Sequence, residues 1–124
     1  MEEVLVTYLN SDEKLTELIG KDSIYPGFTT DITKPSIAYK MKRISEGPVK
    51  ENQVTLDIIS NDYDLCLEIE KQIINLMHFD INEPNKIIEN ISFRGSLAGG
   101  GPLFDDGIQM WEDNIIFIIK WRYL

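Results

Sequence analysis

The apolar residues near the N-terminus recur every three or four positions, which is the spacing of one helix face. They are Val4, Leu5, Tyr8, Leu9, Leu15, Leu18 and Ile19. A polar break at 10–13 interrupts them, with Asn10 and Glu13 at the spacing of a capping box. Gly20 follows the last apolar residue, where a helix C-cap is expected. The pattern predicts a broken or bent helix across residues 2–19.

Alternating apolar and polar residues predict two strands in the middle of the chain. A short extended piece and a turn at 24–27 come first. Residues 36–44 and 53–60 then alternate with period two, as expected for half-buried strands. The segment 45–53 contains Gly-Pro and several charged residues, which predicts a loop. The two strands should form an antiparallel hairpin with one face in water.

The clearest helix is expected over residues 63–79, capped by Asn61 or Asp62. Its core stripe consists of Leu65, Ile69, Ile73 and Leu76, widened by Cys66 and Met77. Leu67 and Ile74 fall outside that stripe. Either the stripe is broad, or these two residues form a second contact surface.

The C-terminal third predicts two further strands, near 90–97 and over 108–121. In the last strand, five apolar residues share one face: Trp111, Ile115, Phe117, Ile119 and Trp121. Ile116 and Ile118 occupy the other face. Apolar residues on both faces indicate a central strand covered on both sides, or a contact between subunits.

A glycine-rich segment, 96–107, separates these two strands. Gly99, Gly100 and Gly101 predict a mobile connection. Three apolar residues also lie in the segment, where a solvated loop would not need them: Leu97, Leu103 and Phe104. They favour a segment that becomes ordered against a partner.

Taken together, the elements predict an α+β fold with the order α-β-β-α-β-β. Two helices are expected to pack on one face of an antiparallel sheet. The 124 residues suffice for one domain, 1–124, since two domains would each have a meagre core. The apolar fraction of 43% argues against disorder.

Composition also limits the partners. The longest apolar run, 115–119, is far shorter than the roughly 20 residues that span a bilayer, so no membrane contact is expected. The sequence has one cysteine and an acidic N-terminal stretch, so we expect a protein made in the cytoplasm. The formal charge of −9 opposes tight binding of nucleic acid. It indicates either solubility or an acidic surface past which DNA slides without sticking.

No catalytic constellation is visible. His78 is the single histidine, and Cys66 falls on the buried stripe of the same helix, so both are interpreted as structural residues. The glycine cluster lacks the Lys-Ser or Lys-Thr of a phosphate-binding loop. We therefore predict a protein that is not an enzyme, with no metal and no cofactor.

Most of the chain resembles the tail-terminator, or tail-completion, proteins of long-tailed bacteriophages and related tail-like bacteriocin particles. The pattern begins with a helix ending in Leu15-x-x-Leu18-Ile19-Gly20, followed by Ile24-Tyr25-Pro26 and by Pro35-Ser36-Ile37-Ala38-Tyr39. The strand Val54 to Ile58, the capped helix Asp62 to Leu76 and a strong C-terminal strand complete it. The motifs are degenerate, and none is catalytic.

The resemblance implies a subunit of a homo-hexameric ring in the virion tail. Such a ring caps the tail tube protein, stops its polymerisation and offers a surface to the head-tail connector protein. DNA crosses its lumen without specific binding. Lys40 and Lys42 form a basic exception on the first hairpin strand. We expect them to meet an acidic neighbour or solvent and not the channel.

Two other functions stay open at this point. A small acidic cytoplasmic adaptor or assembly chaperone would bind a partner's apolar surface, and it should form dimers where a terminator forms rings. A small hydrolase would instead require a deep pocket lined by carboxylates with shifted pKa values.

Overall fold

The computed structural model describes residues 1–20, 22–27, 35–107 and 109–124. Within them the fold is mixed α+β, which confirms the predicted class, with three helices and one six-stranded sheet. The helices are α1 (Glu2–Asn10), α2 (Glu13–Ile19) and α3 (Tyr63–Met77). The strands are β1 (Ile24–Pro26), β2 (Ser36–Glu46), β3 (Lys50–Ser60), β4 (Lys86–Ile88), β5 (Ile91–Asp105) and β6 (Met110–Tyr123).

The strands lie side by side in the order β1-β2-β3-β6-β5-β4. The two short strands, β1 and β4, were absent from the predicted order. β1 pairs with β2 in parallel, so the sheet is mixed. The prediction of a purely antiparallel sheet is therefore wrong. The four long strands pair antiparallel throughout. Ile108, where we predict the last strand to begin, lies outside the described residues.

The N-terminal helix is broken, as the polar interruption predicts. Asp12 caps α2, and its carboxylate accepts a hydrogen bond from the backbone N–H of Leu15 over 2.8 Å. The predicted capping pair of Asn10 and Glu13 is therefore wrong, because Asn10 still belongs to α1. Gly20 ends α2 with a φ of 84°, a conformation that glycine adopts without steric cost. Asp62 caps α3, as one of the two predicted candidates.

The predicted loop at 45–53 is wrong, since β2 and β3 continue to within three residues of each other. A β-bulge between Arg43 and Ser45 shifts the register near the tip. The Glu46 carboxylate lies 3.7 Å from the Lys50 ammonium across the turn. Charged residues suggest a loop by composition. Here they form a cross-strand pair at the ends of two long strands.

The predicted loop at 96–107 is also wrong, because β5 runs to Asp105 and pairs with β6 along this length. A bulge between Leu97 and Gly99 accommodates the change of register. Gly100 has a φ of 129° and lies against the backbone of Asn114 and Ile115, where a Cβ atom would overlap. Here glycine permits close strand pairing. Mobility of this segment stays a prediction.

One core cluster joins the helices to the sheet. Alternate residues of β6, namely Ile115, Phe117, Ile119 and Trp121, are buried in it, which confirms their shared face. From α3 the cluster takes Cys66, Ile69, Ile73 and Met77, while Leu65 and Leu76 are only partly buried. The helix is thus turned slightly from the predicted orientation. It ends at Met77, two residues early, because His78 is extended.

Candidate functional site

Four of the predicted contact residues come together on one surface of the sheet. Lys40 of β2 is paired with Thr55 of β3, which is paired with Ile116 of β6. The next row toward the β2–β3 turn contains Lys42, Gln53 and Ile118. Strands are spaced about 4.8 Å apart, so Lys40 and Ile116 lie about 10 Å apart. We call the surface formed by these two rows the open face.

The pleat of β6 explains why the open face exists. Successive side chains of a strand point to opposite surfaces. Ile115, Phe117 and Ile119 enter the core shared with the helices, so Ile116 and Ile118 point away from it. Both are half-buried, whereas Lys40 and Lys42 are exposed. An apolar pair between two lysines and polar strand neighbours is the kind of surface that a protein partner covers.

β5 extends the open face on the far side of β6. Gly99 is paired with Ile116, and Gly101 with Asn114. Leu103, paired with Glu112, keeps 62% of its surface exposed. The absence of side chains at the two glycines leaves the backbone beside Ile116 accessible. Leu103 then provides an exposed apolar side chain at the β5 end of the open face.

Phe104 and Leu97 lie on the other surface of β5. Phe104 packs edge-on against Trp111, with ring centroids 5.0 Å apart, and Trp111 contacts Tyr63 of α3 at 4.6 Å. Phe104 therefore contributes to the fold itself. Leu97 is 41% exposed, and its backbone N–H donates a hydrogen bond to Nδ1 of His78 over 3.0 Å. His78 thus ties the end of α3 to β5.

Leu67 and Ile74 are separated from the open face. They lie on α3, whose buried residues enter the core on the opposite surface of the sheet. Both are half-buried, and Ile74 packs against the core cluster. The interpretation of this pair as a second contact surface stays a prediction.

Two carboxyl groups have perturbed acidity. Burial raises the pKa of Asp57 to about 6, with a further rise from Glu112 and a smaller opposing effect of Lys40. Burial also raises the pKa of Asp113 to about 7, with the Glu70 carboxylate as the second cause. Sequence reasoning missed both effects, because they depend on tertiary contacts: strand pairing brings Glu112 near Asp57, and the packing of α3 brings Glu70 near Asp113.

The chemistry of the described residues is sparse. Burial raises the pKa of the Cys66 thiol to about 11, which keeps it protonated and unreactive. No group of three or more His, Cys, Asp and Glu side chains in the described part of the chain is placed to hold a metal ion. Likewise, no helix among these residues is long and apolar enough to cross a membrane.

Comparisons with known proteins give a match of fold alone. No protein-family model matches the sequence, and no curated protein matches it. A chain of a solved structure, described as the virion of a native gene transfer agent (GTA) particle, has a similar fold with a TM-score of 0.68. The match covers 94% of this chain and 90% of that chain, at 10% sequence identity.

Proposed function

We propose that this chain is a structural virion protein of a phage-like particle and acts there as the tail terminator. Six copies form a ring in the virion tail, which caps the tail tube protein and stops its polymerisation. The ring also presents a surface to the head-tail connector protein. The observation that carries the proposal is the similarity of fold to a gene transfer agent virion chain over nearly the whole length.

The open face supports an assembly function. It places Ile116 and Ile118 between Lys40 and Lys42 on one side and the exposed second half of β5 on the other. Apolar residues surrounded by charged and polar ones are typical of interfaces that form after folding. Nothing in this arrangement requires a cofactor or a reaction.

The net charge supports passage of DNA through such a ring. A net charge of −9 opposes attraction of phosphates, so DNA in the lumen would slide without specific binding. Lys40 and Lys42 are exposed cations on β2. The proposal therefore places Lys40 and Lys42 away from the lumen, against an acidic neighbour or solvent.

The test is to add the purified protein to growing tail tubes and to image them by negative-stain electron microscopy. We expect a six-fold ring at one end of each tube and tubes that stop lengthening. Glu17→Gln, which alters an exposed residue of α2, serves as a folded control that should act like the parent. Continued growth of uncapped tubes would exclude the terminator function. Dimers that bind unfolded segments would favour the adaptor or chaperone instead.

A further inference from the structure

Asp113 is a carboxyl group that the fold encloses completely. It points to the same side of β6 as Ile115, toward the helices, and its side chain is fully buried. Neither of its oxygens has a hydrogen-bond partner among the described residues. Its strand neighbours are Ile58 of β3 and Pro102 of β5, whose side chains have no hydrogen-bond donor. A carboxylate in such surroundings is costly, so the folded state favours the neutral acid.

The charged groups that act on Asp113 are carboxylates. Glu70 of α3 has the larger effect, and Asp57 of β3 acts from the other side of the sheet. β5 contributes the uncharged Pro102 beside it. Burial and then Glu70 raise the pKa of Asp113 to about 7. The thiol of Cys66, also on α3, has its pKa raised to about 11 by burial and then by Asp113, so it stays neutral.

The first half of α3 is held to the sheet by few contacts. Between Tyr63 and Glu68, Cys66 is the one buried residue. Its thiol lies 4.0 Å from the carbonyl oxygen of Trp111, and the Tyr63 ring packs against the Trp111 ring with centroids 4.6 Å apart. The second half of the helix buries four residues, which are Ile69, Gln72, Ile73 and Met77. A segment with few buried contacts opens at a lower free energy than the rest of the fold.

We propose that Asp113 acts as a pH-sensitive latch between β6 and the first half of α3. While Asp113 carries its proton, residues 63–68 close over the sheet. When Asp113 ionises, this segment opens and water reaches the carboxylate, while the second half of α3 and the sheet stay folded. The opening segment contains Leu67, a predicted contact residue, so a rise in pH alters a surface that partners could use.

The direction of the pH effect follows from where the proton is held. In the closed segment the pKa of Asp113 is about 7, whereas in an opened and solvated segment it returns toward the ordinary 3.8. Opening therefore releases a proton, and a rise in pH favours it. The opening equilibrium constant should increase about tenfold per pH unit between roughly pH 4 and 7 and level off above that range.

Cys66 reports the opening, because it is the single cysteine and is fully buried in the closed segment. The disulfide reagent dithiodipyridine is added to the native protein between about pH 5 and pH 8, and released thiopyridone measures the labelling rate. The rate for the urea-unfolded chain at the same pH, divided by the native rate, gives a protection factor free of the thiol's own pH dependence. We expect this factor to fall about tenfold per pH unit up to about pH 7 and then to level off.

Substitutions test whether Asp113 is the group responsible. Asp113→Asn cannot ionise, so its protection factor should not change with pH. Glu70→Gln removes the carboxylate that raises the pKa of Asp113, so protection should level off at a lower pH than in the parent. Glu68→Gln, at an exposed position of the same helix, is the control and should behave like the parent. A flat profile in the parent, or a profile that Asp113→Asn and Glu70→Gln leave unchanged, would overturn the latch.

A second reporter separates local opening from global unfolding. In Val54→Cys combined with Cys66→Ala, the thiol lies in the interior strand β3, where global unfolding is needed to expose it. Low concentrations of urea should speed labelling there and leave labelling of Cys66 nearly unchanged, because a local opening exposes little surface. Equal urea dependence at the two positions would overturn the inference. The ring proposal is tested separately by tube capping and does not depend on this result.

Discussion

The indole N–H of Trp121 donates a hydrogen bond to Oδ1 of Asn52 over 3.0 Å, which joins β6 to β3. Both side chains are buried. This bond fixes the orientation of the indole ring, which belongs to the core cluster. The position of a core residue that the sequence pattern predicted therefore depends on a residue that sequence reasoning did not single out.

Replacing Asn52 tests this bond. Asn52→Leu leaves the buried indole N–H without an acceptor, so we expect the free energy of unfolding to fall by about 1–3 kcal/mol. Urea denaturation measures the loss. Gln53→Leu is the control, because Gln53 is next in sequence but lies on the open face, and it should change stability by less than about 0.5 kcal/mol. Equal losses in both variants would contradict the assigned role of Asn52.

Substituting two neighbouring isoleucines of β6 distinguishes the open face of the strand from its core face. Ile116→Lys places a charge on the open face, where the long side chain reaches water, so the subunit should stay folded and fail to assemble. Ile115→Lys buries the charge in the core and should unfold the protein, at a cost of several kcal/mol. Circular dichroism melting and tube-end binding measure the two effects. Normal assembly of Ile116→Lys would show that the open face is not an interface.

Asp113 should make stability depend on pH. Its pKa is about 7 in the folded state, raised by burial and then by Glu70, against 3.8 for an ordinary aspartate. The folded protein therefore retains a proton that the unfolded chain releases. The stabilisation from this proton is complete below about pH 4, and it is lost as the pH rises toward 7.

Asp113→Asn removes this dependence, since the amide stays neutral. We expect its melting temperature to exceed that of the parent by several degrees at pH 8, with the difference shrinking toward pH 4. The control is Asp106→Asn, which removes an exposed carboxylate from the β5–β6 turn. Identical pH trends for the two variants in thermal melts would contradict the argument.

The end of β5 should exchange its amide hydrogens quickly in the isolated subunit. β4 pairs only with residues 91–93, so among the described residues no strand borders the outer edge of 98–105. We expect faster exchange there than in 115–119, which lies between β3 and β5. Exchange should slow in the assembled particle if a partner covers this segment. Equal protection of both segments in the free subunit would argue against the predicted mobility.

The sequence predicted the features that depend on local pattern. The cap at Asp62 and the alternation of β6 follow from neighbouring residues, and the structure confirms them. Of the predicted α3 stripe, Ile69 and Ile73 are in the core, whereas Leu65 and Leu76 are only partly buried. The segments 45–53 and 96–107 were misassigned because strand pairing depends on a distant partner. Glycine and charge indicate a loop locally, but Gly100 lies tightly against β6.

The candidate site was only partly predictable for the same reason. The alternation of β6 identified Ile116 and Ile118, and composition identified Lys40 and Lys42. Their proximity follows only from the strand order, which places β3 between β2 and β6.

The lysines of the open face provide the last test. Lys40→Glu with Lys42→Glu reverses the charge at the β2 side of the open face, where the proposed function places an acidic neighbour. We expect slower association, because charges at the rim of an interface mainly change the association rate. The effect should fade at high salt, since exposed charges are screened over roughly 10 Å at 0.1 M and less above it.

The matched control is Lys14→Glu with Lys71→Glu, which changes the net charge by the same amount on α2 and α3, away from the open face. Stopped-flow mixing at several salt concentrations compares the two double variants. A general effect of net charge would slow both equally and would leave the placement of Lys40 and Lys42 unsupported. A six-fold ring with these two lysines projecting into its central hole would refute the placement directly. The acidic lumen would then no longer account for the net charge, because DNA would pass a ring of cations.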